Sequence, residues 1–333
     1  MSESKKRLLS GVKPTGRLHI GNYFGAMKQF VDLQDEYESY IFVADLHSLN
    51  RFNNLTETGD PRQEQVSNTF HLICGYLAIG IDPNKTVLFQ QSDVLAHPYI
   101  GWIFNALTSM PYLMRAHAFK DSEAKNSEIS VGTFVYPMLM ASDILIYDPD
   151  VVPVGKDQKQ HIEYARDTAQ KFNRLFGDTF KLPKEIIMED VESVPGLDGQ
   201  KMSKSYGNTL PLFASEEETA KLIMGSAMDS KEISEPKDPD DYPVYKIYKL
   251  FATKEEDEHM RKQFTDGGVG YGDIKKQIID KVNDSLRPMR ERYDALVTDP
   301  EYVYDVLRQG AEKANIIADA KLADVRKKVG LTK

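Results

Sequence analysis

The chain has 333 residues, 41% of them hydrophobic, with 42 basic against 51 acidic side chains for a net charge of −9. Its pI near 5.4 excludes a protein that coats nucleic acid non-specifically, because such a surface is basic, yet leaves room for a local basic face. No apolar run approaches the roughly 18–20 residues needed to span a bilayer, and Cys74 is the only cysteine, which excludes internal disulfides and cysteine-cluster metal sites.

The opening stretch MSESKKRLLSG carries basic residues but neither a long apolar run nor a small-residue cleavage pattern. A cytoplasmic protein with no membrane association is therefore expected. RLLSGV (7–12), YIFVAD (40–45) and TVLFQQ (86–91) are β-rich and too continuously apolar for strands with one wet face, so a buried parallel sheet is predicted. Residues 21–38 and 61–79 supply helical crossovers, the second opening with Pro61 after Asp60. A helix at 137–147, with Pro137 at its first position, precedes a fourth strand, VVPV (151–154), and another helix starts near Asp157. Strand alternating with helix predicts an α/β, Rossmann-like doubly wound parallel sheet. From about residue 215 no β-rich run occurs and helical patterns dominate, so a helical C-terminal domain is expected.

Four stretches carry chemistry. In GVKPTGRLHIGNYFGAMKQF (11–30), His19, Gly21 and Asn22 fall where the first strand turns into a helix. Free N–H groups and the helix dipole favour an anion there. In TFVYPMLMASDILIYDPD (133–150), Tyr136, Met140, Asp143 and Tyr147 share one helical face. Asp143 is a carboxylate inside an apolar run, so it needs a donor, either from the protein or from a ligand. In VVPVGKDQKQHIEYARDTAQKF (151–172), Gly155, Asp157, Gln158 and His161 gather at a strand end, where a carboxylate suits ribose hydroxyls. Finally GQKMSKSYGN (199–208) offers Lys201 and Lys204, which could swing toward the phosphates of a bound nucleotide.

LHIGN followed by KMSKS resembles the paired motifs of the class I aminoacyl-tRNA synthetases. SGVKPTGRLHIGNY, VADLHSL, YPMLMASDILIY and VPVGKDQKQHIEYARD, with RPMRERY and QGAEKAN further on, resemble the bacterial tryptophanyl family within that class over nearly the whole chain. The resemblance implies a catalytic domain at 1–192, a KMSKS loop at 193–210 and a helical anticodon-reading region at 211–333, its last helix packing back on the catalytic domain. It implies activation of L-tryptophan with ATP, accompanied by Mg²⁺ and with no metal held by side chains, then transfer to tRNA(Trp) by a homodimer. Catalysis would fall to His19, Asn22, Lys201 and Lys204. ATP would be bound by Lys13, Pro14, Thr15, Gly21, Asn22, Gly155, Lys156, Asp157, Gln158, Val194 and the loop residues Lys201, Met202, Ser203, Lys204 and Ser205. Asp143 would accept the indole N–H in a pocket shaped by Met140, Tyr136, His47, Val152 and Val154.

Three departures stand out. Lys13 occupies a position where Gln is usual, Leu9 one where Phe is common, and the basic segment near 120 carries Lys120, Ser122 and Lys125 in offset places. Lys13 is expected to replace part of that charge. Competing readings are a tyrosyl-tRNA synthetase, a small-molecule nucleotidyltransferase, and a non-catalytic paralogue that binds tryptophan or RNA.

Overall fold

A computed structural model describes residues 5–50, 60–116, 119–120, 123, 129–155, 159–187, 194–229 and 231–332. Lys156, Asp157, Gln158, Ser122 and Lys125, all named above, lie outside the described residues.

Five strands form one parallel sheet: β1 (Arg7–Val12), β2 (Glu38–Val43), β3 (Thr86–Gln90), β4 (Val151–Val154) and β5 (Lys184–Ile187), in the order β3-β2-β1-β4-β5. β1 matches its expected bounds. β2 starts earlier and ends earlier than expected, because Asp45 opens a short helix in place of extending the strand. β5 lies outside the expected strands; KEII opens on two charged residues and so lacks the continuous apolar run that marks VVPV.

The crossovers follow from local chemistry. α1 (20–33) contains a π-helical stretch at Tyr23–Met27 and stops before β2, so it is shorter than expected. The Asp45–Ser48 turn is α2, and α3 (Pro61–Ala78) begins with Asp60 accepting from the Arg62 amide. α4 (Ala96–Leu107) follows β3. α5 (Val131–Leu145) corrects one expectation: Pro137 lies inside the helix, not at its start. Ser130 caps the true beginning by accepting from the Thr133 amide, so the cap outranks the proline as the start signal. α6 (Lys159–Phe176) buries Ile162, Ala165, Ala169 and Phe172 on the sheet.

Past the sheet come α7 (Glu216–Met224), α8 (Pro243–Lys249), α9 (Lys254–Asp266), α10 (Tyr271–Thr298) and α11 (Pro300–Lys328). They do not form an island. One apolar cluster runs from Ile20, Met27 and Ile73 through Leu210 to Val244, Ile278 and Leu286. On the other face Leu9, Phe89, Met138 and Ala165 share a cluster with Ala314, Ala318 and Val325 of α11. Gly310 permits that docking. A Cβ there would sit 1.8 Å from the Leu88 carbonyl oxygen, so only glycine lets the helix lie against β3.

The strand order reverses between β1 and β4. In such sheets ligands enter the crevice beyond the carboxyl ends of the strands at that reversal. Lys13 follows β1, His47 follows β2, Gln91 follows β3 and Gly155 follows β4, so four separate stretches of sequence converge on one edge.

Candidate active site

At one end of the crevice the backbone couples the β1–α1 turn to the KMSKS strip. The Ile20 amide donates to the Leu210 carbonyl at 3.0 Å and the Leu212 amide to the Leu18 carbonyl at 2.9 Å, with His19 and Pro211 bridged antiparallel between them. The boundary expected at residue 210 therefore falls inside a ladder. The strip has its own framework. The Met202 amide donates to the Val194 carbonyl at 3.0 Å, and Pro195 and Lys201 are bridged.

Asn208 organises the tip, accepting from the Ser203 amide at 2.8 Å and donating to Asp198 Oδ1 at 2.7 Å and the Lys201 carbonyl at 3.2 Å. Nothing in the sequence reading had marked Asn208 or Asp198. Their signal was the pair of turn formers bracketing KMSKS.

Lys204 Nζ donates to the Thr15 carbonyl, which brings the strip's second lysine onto the loop after β1. Burial lowers the Lys204 ammonium from its ordinary pKa. Lys201, Ser205 and Thr15 are exposed, Met202 and Pro14 are buried, and Ser203 is half-buried, its hydroxyl 2.8 Å from that of Ser205. His19 is buried, its backbone N–H donating to Asn22 Oδ1 at 3.1 Å. Its Nδ1 is buried without a hydrogen-bond partner among the described residues. Burial, then the nearby Lys204 charge, push its pKa down to about 4, so the ring is neutral at pH 7. Gly21 is needed for close approach: a Cβ there would meet the His19 ring at 2.9 Å.

The other end is sealed. Asp143 is 1% exposed. His97 Nδ1 approaches its Oδ1 at 2.6 Å and Gln91 Nε2 at 2.8 Å; His47 Nε2 approaches Oδ2 at 2.8 Å. Burial would raise the carboxyl pKa, but the hydrogen bonds and charge of His47 and His97 together outweigh it and hold the group at about 2. Asp143 is thus an ion satisfied by protein donors, three of its four acceptor directions being filled among the described residues.

Toward the mouth, the Tyr136 ring meets His47 edge-on at 6.2 Å, its hydroxyl bonds His161 Nε2, and Lys13 Nζ stands 5.7 Å from the ring centre. Burial lowers the Lys13 ammonium pKa, although the residue as a whole is exposed. Met140 is half-buried, Gly155 likewise, and Val152 and Val154 are buried in the β4 core.

Gln91 and His97 were missed by the sequence reading. Gln91 had a legible sign, a second glutamine closing a buried strand at the ligand edge. Its Oε1 accepts from the Leu46 amide at 3.1 Å, while Asp45 accepts from Ser92 N at 3.0 Å and Gln90 Nε2 at 2.8 Å. The ends of β2 and β3 are stitched into one platform under Asp143. His97 had no sign, since its role depends on which helix faces it.

A parallel sheet that reverses between β1 and β4, with the turn after β1 laddered to a lysine strip and a buried carboxylate beyond it, defines an α/β ligand-binding class. Residues 1–287 match the family described as tRNA synthetases class I (W and Y), and the chain belongs to that family. The tryptophan–tRNA ligase of Fusobacterium nucleatum is 45% identical over 98% of both chains, and that of Rhodopirellula baltica 43% identical over 98% of this chain and 99% of its own. The crystal structure of Campylobacter jejuni tryptophanyl-tRNA synthetase complexed with ADP and tryptophan aligns with a TM-score of 0.91 at 40% identity, covering 97% of this chain and 99% of that one. Within the family, the chain therefore sits in the bacterial tryptophanyl branch.

Proposed function

We infer that this chain is a tryptophan–tRNA ligase that uses ATP. The observation that carries the reading is the ladder between residues 18–20 and 210–212, which brings Lys204 to the loop after β1 in the crevice whose far wall holds Asp143. In the first step the tryptophan carboxylate oxygen bonds to the α-phosphorus of ATP and the bond to the bridging oxygen breaks, releasing pyrophosphate. In the second, a ribose hydroxyl of the terminal adenosine of tRNA(Trp) takes the tryptophanyl group and AMP leaves. Mg²⁺ enters as part of the nucleotide substrate.

His19, Asn22, Lys201 and Lys204 act on the phosphates: mobile ammonium groups stabilise charge that builds on the leaving pyrophosphate. The turn after β1, Gly155 and the strip from Val194 to Ser205 surround the nucleotide. A neutral His19 donates a hydrogen bond without repelling Lys204. Asp143 Oδ2, through its one unfilled direction, accepts the indole N–H. Tyr136, Met140 and His47 border the ring, with Val152 and Val154 behind. Lys13 supplies a cation near the reacting carboxylate or phosphate, and Lys13→Gln is expected to weaken ATP binding and slow activation. The helical region reads the anticodon, and the work belongs with translation in the cytoplasm. Among the described residues no helix is long and apolar enough to cross a membrane.

A homodimer fits the exposed apolar side chains of Leu95 and Trp102, 75% and 74% exposed at helical spacing on one face, with Met110 nearby. Trp102→Glu is expected to shift sedimentation from dimer to monomer. Amino-acid-dependent exchange of pyrophosphate into ATP tests the central reading. Tryptophan alone should support it. Exchange with tyrosine instead, or tryptophan binding with no exchange, overturns it.

A further inference from the structure

An ionised carboxylate only accepts hydrogen bonds, so the three nitrogens around Asp143 must each present a proton to it. Two of them, His97 Nδ1 and Gln91 Nε2, fill Oδ1. Among the described residues, Oδ2 receives only His47. The two oxygens also face different surroundings. From Oδ1 the contacts lead inward to His97 and Gln91, both 0% exposed. From Oδ2 they lead outward through His47 and Tyr136 to Lys13 at the crevice mouth.

His97 is itself held from behind. With Nδ1 turned to Asp143, Nε2 meets the Tyr147 hydroxyl at 2.9 Å. Burial, with the Asp143 charge beside it, raises the Tyr147 phenol, so it keeps its proton. Phe42 and Phe89 tilt against the imidazole at 5.8 and 6.2 Å, and Tyr147 stacks on Tyr40 at 5.4 Å. Ser142 Oγ donates to the His97 carbonyl at 2.7 Å, tying α4 to α5 beside Asp143. Asp143 and Tyr147 thus hold both ring nitrogens of a fully buried imidazole.

We propose that His97, backed by Tyr147, is a positioning residue for amino-acid selection: with Gln91 it saturates Oδ1 and so leaves Oδ2 as the single acceptor that reads a ring N–H. The inference rests on the tryptophan reading and adds to it residues that do not touch the substrate. A site whose buried acceptor is fixed rejects a ligand lacking the donor, because that ligand would strand the acceptor unpaired. A carboxylate free to rotate would instead turn either oxygen to another donor and lose that discrimination.

The test is pyrophosphate exchange with tryptophan and with 3-benzothienylalanine, in which sulfur replaces the ring N–H. Wild type is compared with His97→Leu, His97→Asn, Gln91→Met and Tyr147→Phe. His97→Leu is expected to raise the tryptophan KM by about tenfold or more and to shrink the preference over the sulfur analogue by a similar factor. The KM for ATP should not move. His97→Asn returns an amide N–H to the Nδ1 position and should restore most of the preference, which mere packing would not do. Tyr147→Phe should act in the same direction, more weakly. An unchanged preference in His97→Leu, or His97→Asn falling as far as His97→Leu, overturns the proposal. If His97→Leu does not fold, Gln91→Met removes the other Oδ1 donor, and an undiminished preference there overturns it equally. Wild type that shows no tryptophan-dependent exchange overturns the functional reading first, before any variant is made.

Discussion

The two ends of the crevice solve opposite problems. Around Asp143 every donor is within 2.8 Å of its acceptor and the participating side chains are buried, so the geometry is fixed before any ligand arrives. Around KMSKS the framework is backbone and Asn208, while Lys201 and Lys204 are exposed and Lys204 rests on the Thr15 carbonyl oxygen. Under the proposed function, selection of a substrate needs an acceptor that does not move, whereas stabilising a departing group needs charge that can follow it. The same fold places a buried, hydrogen-bonded acceptor on a packed helix and exposed lysines on a loop.

The largest expected effect belongs to the loop. Lys204→Met should lower the exchange rate roughly 10²–10³-fold, with tryptophan affinity measured by equilibrium dialysis and Tm both unchanged. A loss of Tm would show that the lysine is part of the fold and would break the contrast. Next, Asp143→Asn should reduce kcat/KM for tryptophan by about 10- to 100-fold and also lower Tm. An amide must turn N–H groups toward donors that now face a carboxylate.

The third expectation concerns acid. Both His19 and Asp143 have folded pKa values below their unfolded ones, about 4 against 6.5 and about 2 against 3.8. In each window the unfolded chain binds more protons, so stability falls as pH falls. The two windows are separate: the His19 contribution is lost between pH 6.5 and 4, that of Asp143 on further acidification below 3.8. Urea unfolding across pH should show both slopes. His19→Gln should flatten only the upper one, and NMR of Lys204→Met should show the His19 titration moving up. The smallest effect is at Arg17, which pairs with Glu218 through two bonds of 2.8 and 2.9 Å on the surface. Arg17→Gln should change stability by less than about 1 kcal/mol, and less still at high salt.

Much of this was legible beforehand for reasons that can be named. β1, β3 and β4 are short apolar runs closed by Gly, Pro or polar residues, so their existence and parallel pairing follow from burial on both faces. Asp143 was conspicuous because a charge in an apolar helix face must have a partner. Its partners were not legible. His47 follows β2 while Gln91 and His97 lie close together after β3, and only the packing of α4 and α5 across the ends of those strands brings them to Asp143. Pro137 misled because a proline can start a helix or sit inside one, and the Ser130 cap that decides between them is a local bond, not a composition.

The sequence alone determined the alternating α/β architecture, the glycine-containing turn after β1 and the cationic strip, because periodicity, glycine and charge act over a few neighbouring residues. Tertiary structure decided the rest. It paired residues 18–20 with 210–212, laid α11 on β3 at Gly310, and directed the two oxygens of Asp143 to opposite sides. Those outcomes depend on hydrogen bonds and close contacts between distant segments, whose partners exist only once the sheet has ordered them.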